Sequence, residues 1–213
     1  MLTLFDYAPS ENAWKVRQLL QHLQRPYLTV TVNIFEGEGR SEAYQRISPT
    51  GTVPAIQLDD GRTMAESNAI LFYLAMDTPY LPHDAFGRAK VLQWLSFEQE
   101  RVESVIGSLR YWTLTGKLEK RALVLVEMKR STGERSLDIL NRELASRPFL
   151  TEHGYSIADI SVFAYGSRAE EAGFSLQTYP HVRAWIERVK SQPGHLATMH
   201  PYSEDPHSAK ELP

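Results

Sequence analysis

The first eighty residues alternate between strand-like and helix-like patterns of apolar positions. Residues 2–7 are typical of a strand, and the apolar positions that follow recur at the spacing of one helix face, at Val16, Leu19, Leu20 and Leu23. The remaining elements are predicted in the order strand, short helix, strand, strand and helix, at residues 27–32, 41–47, 53–58, 63–65 and 67–76. Strands and helices in this order indicate an α/β unit.

Two prolines, Pro79 and Pro82, interrupt this periodicity and mark a linker. Beyond them every periodic segment is helical and none alternates like a strand, at residues 85–112, 118–145, 157–172 and 179–190. We therefore predict three parts: an α/β domain over residues 1–78, an all-helical domain over residues 85–200, and a polar, loosely held tail over residues 201–213.

The composition indicates an ordinary globular protein. Of its 213 residues, 42% are hydrophobic and 23% are charged, and the formal net charge is −3. That balance gives no electrostatic attraction toward nucleic acid or an anionic membrane. The N-terminus lacks the pattern of a signal peptide, and no apolar run reaches the ~18 residues of a membrane span, so we expect a cytoplasmic protein.

A group of basic residues follows the first long helical segment: Lys117, Lys120, Arg121, Lys129 and Arg130. Acidic residues are interleaved with them, and no aromatic residue lies between them. Surfaces that bind single-stranded nucleic acid combine basic charge with aromatic rings on which the bases stack. We therefore interpret this group as a solvated helix face.

The sequence contains no cysteine, so neither a disulfide nor a catalytic thiol is available. Its seven histidines are scattered, and it has no His-Glu-x-x-His zinc motif and no phosphate-binding loop. No metal is predicted. A thiol that takes part in the chemistry must come from a ligand.

The most informative motif is Val53-Pro54, which opens an apolar run. Proline has no backbone N–H and cannot donate to a β ladder, so we expect it at a strand start with a special backbone geometry such as a cis bond. The backbone of Val53 can then pair with an extended peptide as an added strand.

Glu66-Ser67 precedes the last helix of the α/β unit. Ser67 can cap that helix, whose N-terminal amides attract a carboxylate, and Glu66 can pair with an ammonium group. Together with Val53-Pro54 these residues describe a site for a small peptide. The combination resembles the glutathione-binding half of the glutathione transferase superfamily. The resemblance implies that Glu66 receives the γ-glutamyl ammonium of glutathione and Ser67 its α-carboxylate.

A second motif extends the resemblance to the C-terminal half. Residues 154–159 read Gly-x-Ser-Ile-Ala-Asp, which is similar to a C-terminal signature of the superfamily. Within it, Ser156 and Asp159 have the spacing of a capping box, so we interpret Asp159 as a folding element and not as a catalytic carboxylate. The resemblance covers residues 1–200 and implies a thioredoxin-like N-terminal domain, an all-α C-terminal domain and a homodimer.

The candidate catalytic segment leads from the first strand into the first helix. It resembles the serine-using theta and zeta groups, with Ser10 at the place of the zeta group's catalytic serine, and Ser10, Asn12 and Lys15 resemble the pattern of bacterial Nu-type members. The resemblance implies that Ser10 and Asn12 stabilise the thiolate of glutathione. Tyr7 is the rival, because tyrosine-using classes place a tyrosine near this strand end, but we favour Ser10. A plain N-cap role for Ser10 is compatible with catalysis, since the cap aims the donor.

Three further residues complete the predicted site. Arg40 follows a glycine-containing turn and is predicted to meet the glycyl carboxylate of glutathione. Tyr111 and Trp112 come at the end of a long helix and are predicted to line a pocket for the electrophile between the two domains.

We predict an enzyme that uses glutathione as a co-substrate and activates its thiol. The reaction is either conjugation to an electrophile or reduction of a disulfide. Isomerisation on the zeta pattern is less favoured, because the Ser-Ser-Cys triplet of that group is replaced here by Ser10-Glu11-Asn12. The alternative from another class is a non-catalytic binding module.

Overall fold

A computed structural model describes residues 1–198 and 200. The predicted tail over residues 201–213 lies outside the described residues. The chain forms two compact units. The first contains residues 1–76 together with residues 193–198 and 200, and the second contains residues 77–192.

The first unit is built around a four-stranded sheet with the strand order β2-β1-β3-β4. Its elements in chain order are β1 (Leu2–Asp6), α1 (Glu11–His22), β2 (Tyr27–Thr31), α2 (Glu42–Gln45), β3 (Ala55–Gln57), β4 (Thr63–Ala65) and α3 (Ser67–Leu74). Strand β1 is parallel to β2 and antiparallel to β3, and β3 is antiparallel to β4. This is the predicted thioredoxin-like order.

Apolar periodicity explains how the first unit packs. The central strands β1 and β3 bury Leu4 and Ile56 completely, and α1 buries Leu19 and Leu20 to the same extent. Helices α1 and α3 contact each other. The predicted elements are confirmed, but β3 begins at Ala55 and not at residue 53. The physical reason is that Pro54 has no N–H to donate to the ladder.

The second unit is helical. Its main helices in chain order are α4 (Ala85–Phe97), α5 (Ser108–Leu114), α6 (Leu123–Glu143), α7 (Ile157–Gly166) and α8 (Pro180–Lys190). The predicted helix over residues 85–112 is present, but its middle, Glu98–Gly107, is a π-helix. Helix α7 ends earlier than residue 172, and a separate 3₁₀ turn follows it at Ala169–Ala172. The predicted fold class is confirmed.

The capping box at the start of α7 is present and fully buried. Asp159 Oδ2 accepts from the backbone N–H of Ser156 at 3.0 Å, and Asp159 Oδ1 accepts from Leu150 N at 2.9 Å and from Trp185 Nε1 at 2.9 Å. Burial raises the pKa of Asp159 to about 6, although these hydrogen bonds oppose the rise. Every one of these contacts ties parts of the helical unit together, as a folding element requires.

The segment that follows α8 contacts helix α1. Trp14 Nε1 donates to Leu196 O at 3.2 Å, Leu196 N donates to Gln18 Oε1 at 2.7 Å, and Gln18 Nε2 donates to Gly194 O at 3.1 Å. The sequence pattern assigned these residues to the helical domain, but the structure groups them with the first unit. Side chains of α1 form these bonds with backbone groups, which leave no pattern in the sequence.

Within residues 1–198 and 200, the structure has no helix that is both long enough and apolar enough to cross a membrane.

Candidate functional site

The loop between β1 and α1 presents Ser10 at a helix N-terminus. Ser10 Oγ accepts a hydrogen bond from Ala13 N at 3.2 Å, as an N-cap does. The loop is held on both sides: Ser10 N donates to Tyr7 O at 2.8 Å, and Arg17 forms a 2.5 Å ion pair with Asp6. The cap uses the serine oxygen as an acceptor, so the O–H of Ser10 remains available to donate.

Asn12 connects the start of α1 to the start of α3. Its Oδ1 accepts from Lys15 Nζ at 2.8 Å and from Ser67 Oγ at 3.3 Å. An ammonium group can only donate, so the atom facing Lys15 must be the amide oxygen. The Nδ2 end of the same planar group therefore faces the other side. The structure thus brings together three predicted site residues: Ser10, Asn12 and Ser67.

Lys15 belongs to the motif that carried the resemblance, but the sequence did not reveal its burial. Its side chain is fully buried. Lysine is almost never fully buried unless it is paired. Its contact with the Asn12 oxygen indicates a positioning role, because it fixes which way the amide points.

Glu66 has a backbone conformation that non-glycine residues rarely adopt. It caps α3 with φ 69° and ψ 112°, and its side chain is exposed and forms no capping bond. A positive φ of this kind costs about 1–3 kcal/mol and is concentrated at functional sites. The geometry places an exposed carboxylate directly before the N-terminus of α3, where Ser67 is buried.

The peptide bond between Val53 and Pro54 is cis, as predicted. Both residues are buried and directly precede β3. Among the described residues, no hydrogen bond of the sheet or the loops involves the backbone of Val53. Its N–H and C=O groups are therefore not used by the ladder that starts two residues later.

Tyr7 lies directly after β1 and is almost completely buried. It packs with Val32, Tyr44 and Val53, and its ring meets that of Phe35 edge-on at a centroid distance of 5.5 Å. Its hydroxyl is buried and has no hydrogen-bond partner within the described part of the chain. The rival tyrosine hydroxyl therefore lies in an apolar cluster, whereas Ser10 is half-buried at the surface.

Arg40 is exposed at the end of a short 3₁₀ turn. The turn packs tightly on the loop that leads to Val53, because a Cβ at Gly39 would lie 2.2 Å from Gly51 O. Glycine at these two positions permits the close approach of the two backbones. Arg40 thereby lies on the loop next to the Val53 segment, and its contact with glutathione stays a prediction.

Tyr111 and Trp112 lie on α5 in the helical unit and are half-buried. Lys117 Nζ lies 5.2 Å from the centroid of the Tyr111 ring, Arg121 Cζ lies 5.0 Å from that of Trp112, and Lys129 Nζ lies 5.6 Å from that of Trp112. These are cation–π distances. We call these five residues the aromatic–cation cluster.

The interpretation of the basic residues as one solvated helix face is therefore wrong for part of the group. Lys117 is 8% exposed, and Arg121 and Lys129 lie against an indole ring. No aromatic residue lies between the basic ones along the chain. The rings instead come from the helix before them, so the tertiary packing creates the cluster.

No group of three or more metal-ligating side chains occurs in the described ranges, residues 1–198 and 200. The ligand groups of the site are hydroxyl, amide, carboxylate and backbone groups, which suit a peptide. The first unit is thioredoxin-like and brings together the polar N-termini of α1 and α3, and the second unit is helical. These two units in this order define the class of the protein.

Two family models match the chain: "Glutathione S-transferase, N-terminal domain" at residues 9–76 and "Glutathione S-transferase, C-terminal domain" at residues 124–188. The chain is 30% identical over 200 residues to disulfide-bond oxidoreductase YfcG of Escherichia coli strain K12, with 91% of this chain and 92% of that protein covered. The chain belongs to the glutathione S-transferase superfamily.

Solved structures agree with this assignment. A glutathione S-transferase from Pseudomonas fluorescens Pf-5 has a TM-score of 0.88 and 35% identity, covering 92% of this chain and 97% of that chain. A glutathione transferase from Burkholderia graminis, solved with two glutathione molecules bound per subunit, has a TM-score of 0.79 and 26% identity, covering 91% of this chain and 85% of that one.

Proposed function

We propose that the protein is an enzyme that binds glutathione in its first unit and activates the thiol as a thiolate. The observation that carries the proposal is the position of Asn12, whose oxygen bonds both Lys15 and Ser67. This arrangement joins the N-terminus of α1, where the thiolate donors lie, to the N-terminus of α3, where a carboxylate is favoured.

The peptide is held by groups of three kinds. The backbone of Val53 pairs with the cysteinyl segment as an added strand. The α-carboxylate of the γ-glutamyl group binds Ser67 and the amides of α3, and its ammonium pairs with Glu66. Arg40 meets the glycyl carboxylate. The strained backbone of Glu66 supports this proposal, because such strain persists where it places a functional group.

The thiolate needs only a few polar contacts. A cysteine thiol has a pKa near ~8.5, and lowering it by two units requires about 2.7 kcal/mol of differential stabilisation. A hydrogen bond to a charged group contributes about 1.5–3 kcal/mol and a helix N-terminus about 0.3–1 kcal/mol. The hydroxyl of Ser10 and the start of α1 are therefore sufficient, with Asn12 as a second donor.

Two reactions use such a thiolate. In conjugation, the sulfur attacks an electrophilic carbon held at Tyr111 and Trp112, and the leaving group departs with the bonding electrons. In disulfide reduction, the thiolate attacks a disulfide sulfur and releases a thiolate, and a second glutathione then reduces the mixed disulfide and yields glutathione disulfide. Similarity to a protein named a disulfide-bond oxidoreductase supports the second reaction. Both glutathione molecules supply the thiols, because the chain has no cysteine.

The test is the pKa of bound glutathione, followed by thiolate absorbance in the ultraviolet as a function of pH. Ser10→Ala is expected to raise that pKa by about one unit or more, since each unit corresponds to 1.36 kcal/mol. Ser10→Gly is the matched control, because glycine keeps most of the cap but also lacks the hydroxyl. Both variants should lose rate while glutathione still binds.

Tyr7→Phe and Asn12→Ala rank the other donors in the same titration. Tyr7→Phe should leave the pKa of bound glutathione unchanged, and Asn12→Ala should raise it to a smaller extent. A shift with Tyr7→Phe and none with Ser10→Ala would make tyrosine the thiolate donor and the serine assignment wrong.

Measurements of binding and turnover distinguish an enzyme from a non-catalytic binding module. Calorimetry is expected to show glutathione binding that Glu66→Gln and Ser67→Ala each weaken about tenfold, equal to 1.4 kcal/mol. Binding without a thiolate signal, conjugation or disulfide reduction would favour the module.

The superfamily resemblance also leads us to propose a homodimer in the cytoplasm. Light scattering at micromolar concentration tests the first point, and a monomer there would contradict it. Cell fractionation tests the second.

A further inference from the structure

Residues 193–198, which we call the strap, follow α8 and belong to the first unit. Side chains of α1 bind the strap through its backbone. Trp14 Nε1 donates to Leu196 O at 3.2 Å, and Leu196 N donates to Gln18 Oε1 at 2.7 Å. Gln18 Nε2 donates to Gly194 O at 3.1 Å. One fully buried amide, that of Gln18, thus holds the strap at two points.

The backbone groups of the strap fix the protonation state of His22. A backbone N–H only donates and a carbonyl only accepts, so Gln18 must turn its oxygen to Leu196 and its NH₂ group to Gly194. The same NH₂ group lies 2.8 Å from His22 Nε2, which must therefore accept. His22 Nδ1 lies 3.0 Å from Pro193 O and must carry the proton. The bound strap therefore requires a neutral imidazole that is protonated at Nδ1.

A second proton on His22 is incompatible with this arrangement. It would make Nε2 a donor that faces the NH₂ group of Gln18. If the amide of Gln18 turned over to accept from His22, its nitrogen would face Leu196 N and its oxygen would face Gly194 O. Protonation therefore costs either the bond to His22 or both bonds to the strap. Burial also disfavours the charged ring and lowers the pKa of His22, although the bond to Pro193 O opposes this.

The charged and titratable groups near His22 come from three places. Helix α1 packs against α3, which contains no acidic or basic residue and titrates only at Tyr73. The strap supplies a second imidazole, that of His195. In α1 and just beyond it lie Arg17, which forms an ion pair, and the exposed Arg25. None of these groups is a carboxylate that would favour a charged imidazole.

We propose that His22 is a pH-sensitive switch, and that its protonation at Nε2 releases the strap from α1. Neither glutathione binding nor turnover enters this switch. Once the strap is released, His22 binds a proton with an ordinary pKa of ~6.5, whereas the bound state binds the proton more weakly. The strap is therefore held fully above about pH 6.5 and is held less firmly as the pH falls below that value. A single proton changes such an equilibrium by at most about tenfold per pH unit.

Two measurements on the wild-type protein test the switch. Nitrogen NMR at about pH 8 should show His22 protonated at Nδ1 alone, and its pKa should lie below ~6.5. Hydrogen exchange of residues 193–198, corrected for the intrinsic effect of pH, should show protection that falls by about fivefold or more between about pH 7.5 and pH 5.5. Protonation at Nε2 at the higher pH, an ordinary or raised pKa, or constant protection would overturn the proposal.

Two substitutions separate the titration of His22 from its packing. His22→Gln keeps an amide that can accept from Gln18 and donate to Pro193 O but does not titrate, so strap protection should no longer depend on pH. It also identifies the NMR signals of His22 by their loss. His195→Gln is the matched control, since it removes the imidazole of the strap itself, and it should leave the pH dependence in place. Dependence that survives His22→Gln, or that disappears with His195→Gln, would overturn the proposal.

Gln18→Glu is expected to reverse the direction of the shift. The carboxylate replaces a donor with an acceptor opposite Nε2, so the pKa of His22 should rise above ~6.5 and not fall below it. The same NMR titration measures this. A packing defect alone would not reverse the shift, and a pKa of His22 that stays lowered in this variant would show that Gln18 does not donate to Nε2 and would overturn the proposal.

Discussion

Helices α1 and α7 both begin with a serine cap, and these two caps differ in what surrounds them. Ser10 accepts from Ala13 N at 3.2 Å at the start of α1, and Ser156 accepts from Ala158 N at 3.3 Å at the start of α7. Ser10 thus caps the third amide of its helix and Ser156 the second. Ser156 is 2% exposed, however, whereas Ser10 is only half-buried.

The polar groups beside each cap show what the difference means. At α7, the Asp159 carboxylate is fully buried and accepts from backbone and side-chain donors of its own unit. At α1, Asn12 is half-buried, and the oxygen end of its amide faces Lys15 and Ser67. A capped helix N-terminus is a candidate binding site where its hydrogen-bond donors lie at the surface. Where its polar groups are buried and bonded to their own unit, it is a folding element.

The largest expected effect separates the two caps directly. Asp159→Ala should lower the free energy of unfolding by at least about 3 kcal/mol, because each buried donor that loses its acceptor costs about 1–3 kcal/mol. Asn12→Ala removes the acceptor of two other buried donors, Lys15 Nζ and Ser67 Oγ, and should lower the free energy of unfolding by about 1–3 kcal/mol, but unlike Asp159→Ala it should also reduce turnover. Denaturant unfolding and activity per folded molecule measure the two effects. A stable but inactive Asp159→Ala protein would make Asp159 a catalytic candidate.

The second prediction concerns pH. Burial raises the pKa of Asp159 to about 6 in the folded protein, above the ~3.9 of an unfolded aspartate. The folded state binds the proton more tightly, so this contribution to stability is fully present below about pH 4 and is lost as pH rises through about 6. Relative to Asp159→Asn, which does not titrate, wild-type stability should fall by about 2 kcal/mol between about pH 4 and pH 7. Urea unfolding of both proteins measures the difference, and a flat difference would contradict the burial argument.

Substitutions of Glu66 test how much stability the strained backbone at the start of α3 costs. Glu66→Gly should raise the free energy of unfolding by about 1 kcal/mol, because glycine adopts a positive φ without strain, while glutathione affinity falls. Glu66→Gln is the control: it removes the charge and keeps the strain, so affinity should fall without a gain in stability. Thermal unfolding and calorimetry distinguish the two variants, and equal stabilities would argue against backbone strain.

The smallest effect is expected for Tyr7→Phe. Its hydroxyl is buried, with no hydrogen-bond partner among residues 1–198 and 200, so phenylalanine should be neutral or stabilising by up to about 1 kcal/mol. Turnover should be unchanged. A marked loss of stability in thermal unfolding would show that the hydroxyl has a partner in solution.

Much of the fold was predictable because it depends on local patterns. The apolar spacing of Leu19 and Leu20 predicts α1, and Pro54 predicts a strand start with a special backbone geometry such as the cis bond that is present, although the strand begins at Ala55 and not at residue 53. The Ser-x-x-Asp spacing predicts the capping box at α7. Each of these signals lies within a few residues of sequence.

The remaining features depend on contacts between distant residues. The bond between Asn12 and Ser67 joins residues 55 apart, and the contacts of Trp14 and Gln18 with the segment after α8 join residues about 180 apart. The sequence contained no indication that Lys15 is buried or that Lys129 lies on the Trp112 ring.

The sequence by itself determined the elements of both units and the two caps, because periodicity, proline chemistry and capping act over one or two helical turns, and its motifs indicated the family by resemblance. Only the tertiary structure decided which cap is closed and which remains accessible, and which cations meet aromatic rings. The physical reason is that burial and charge pairing are set by the neighbours that packing supplies, and those neighbours come from distant parts of the chain.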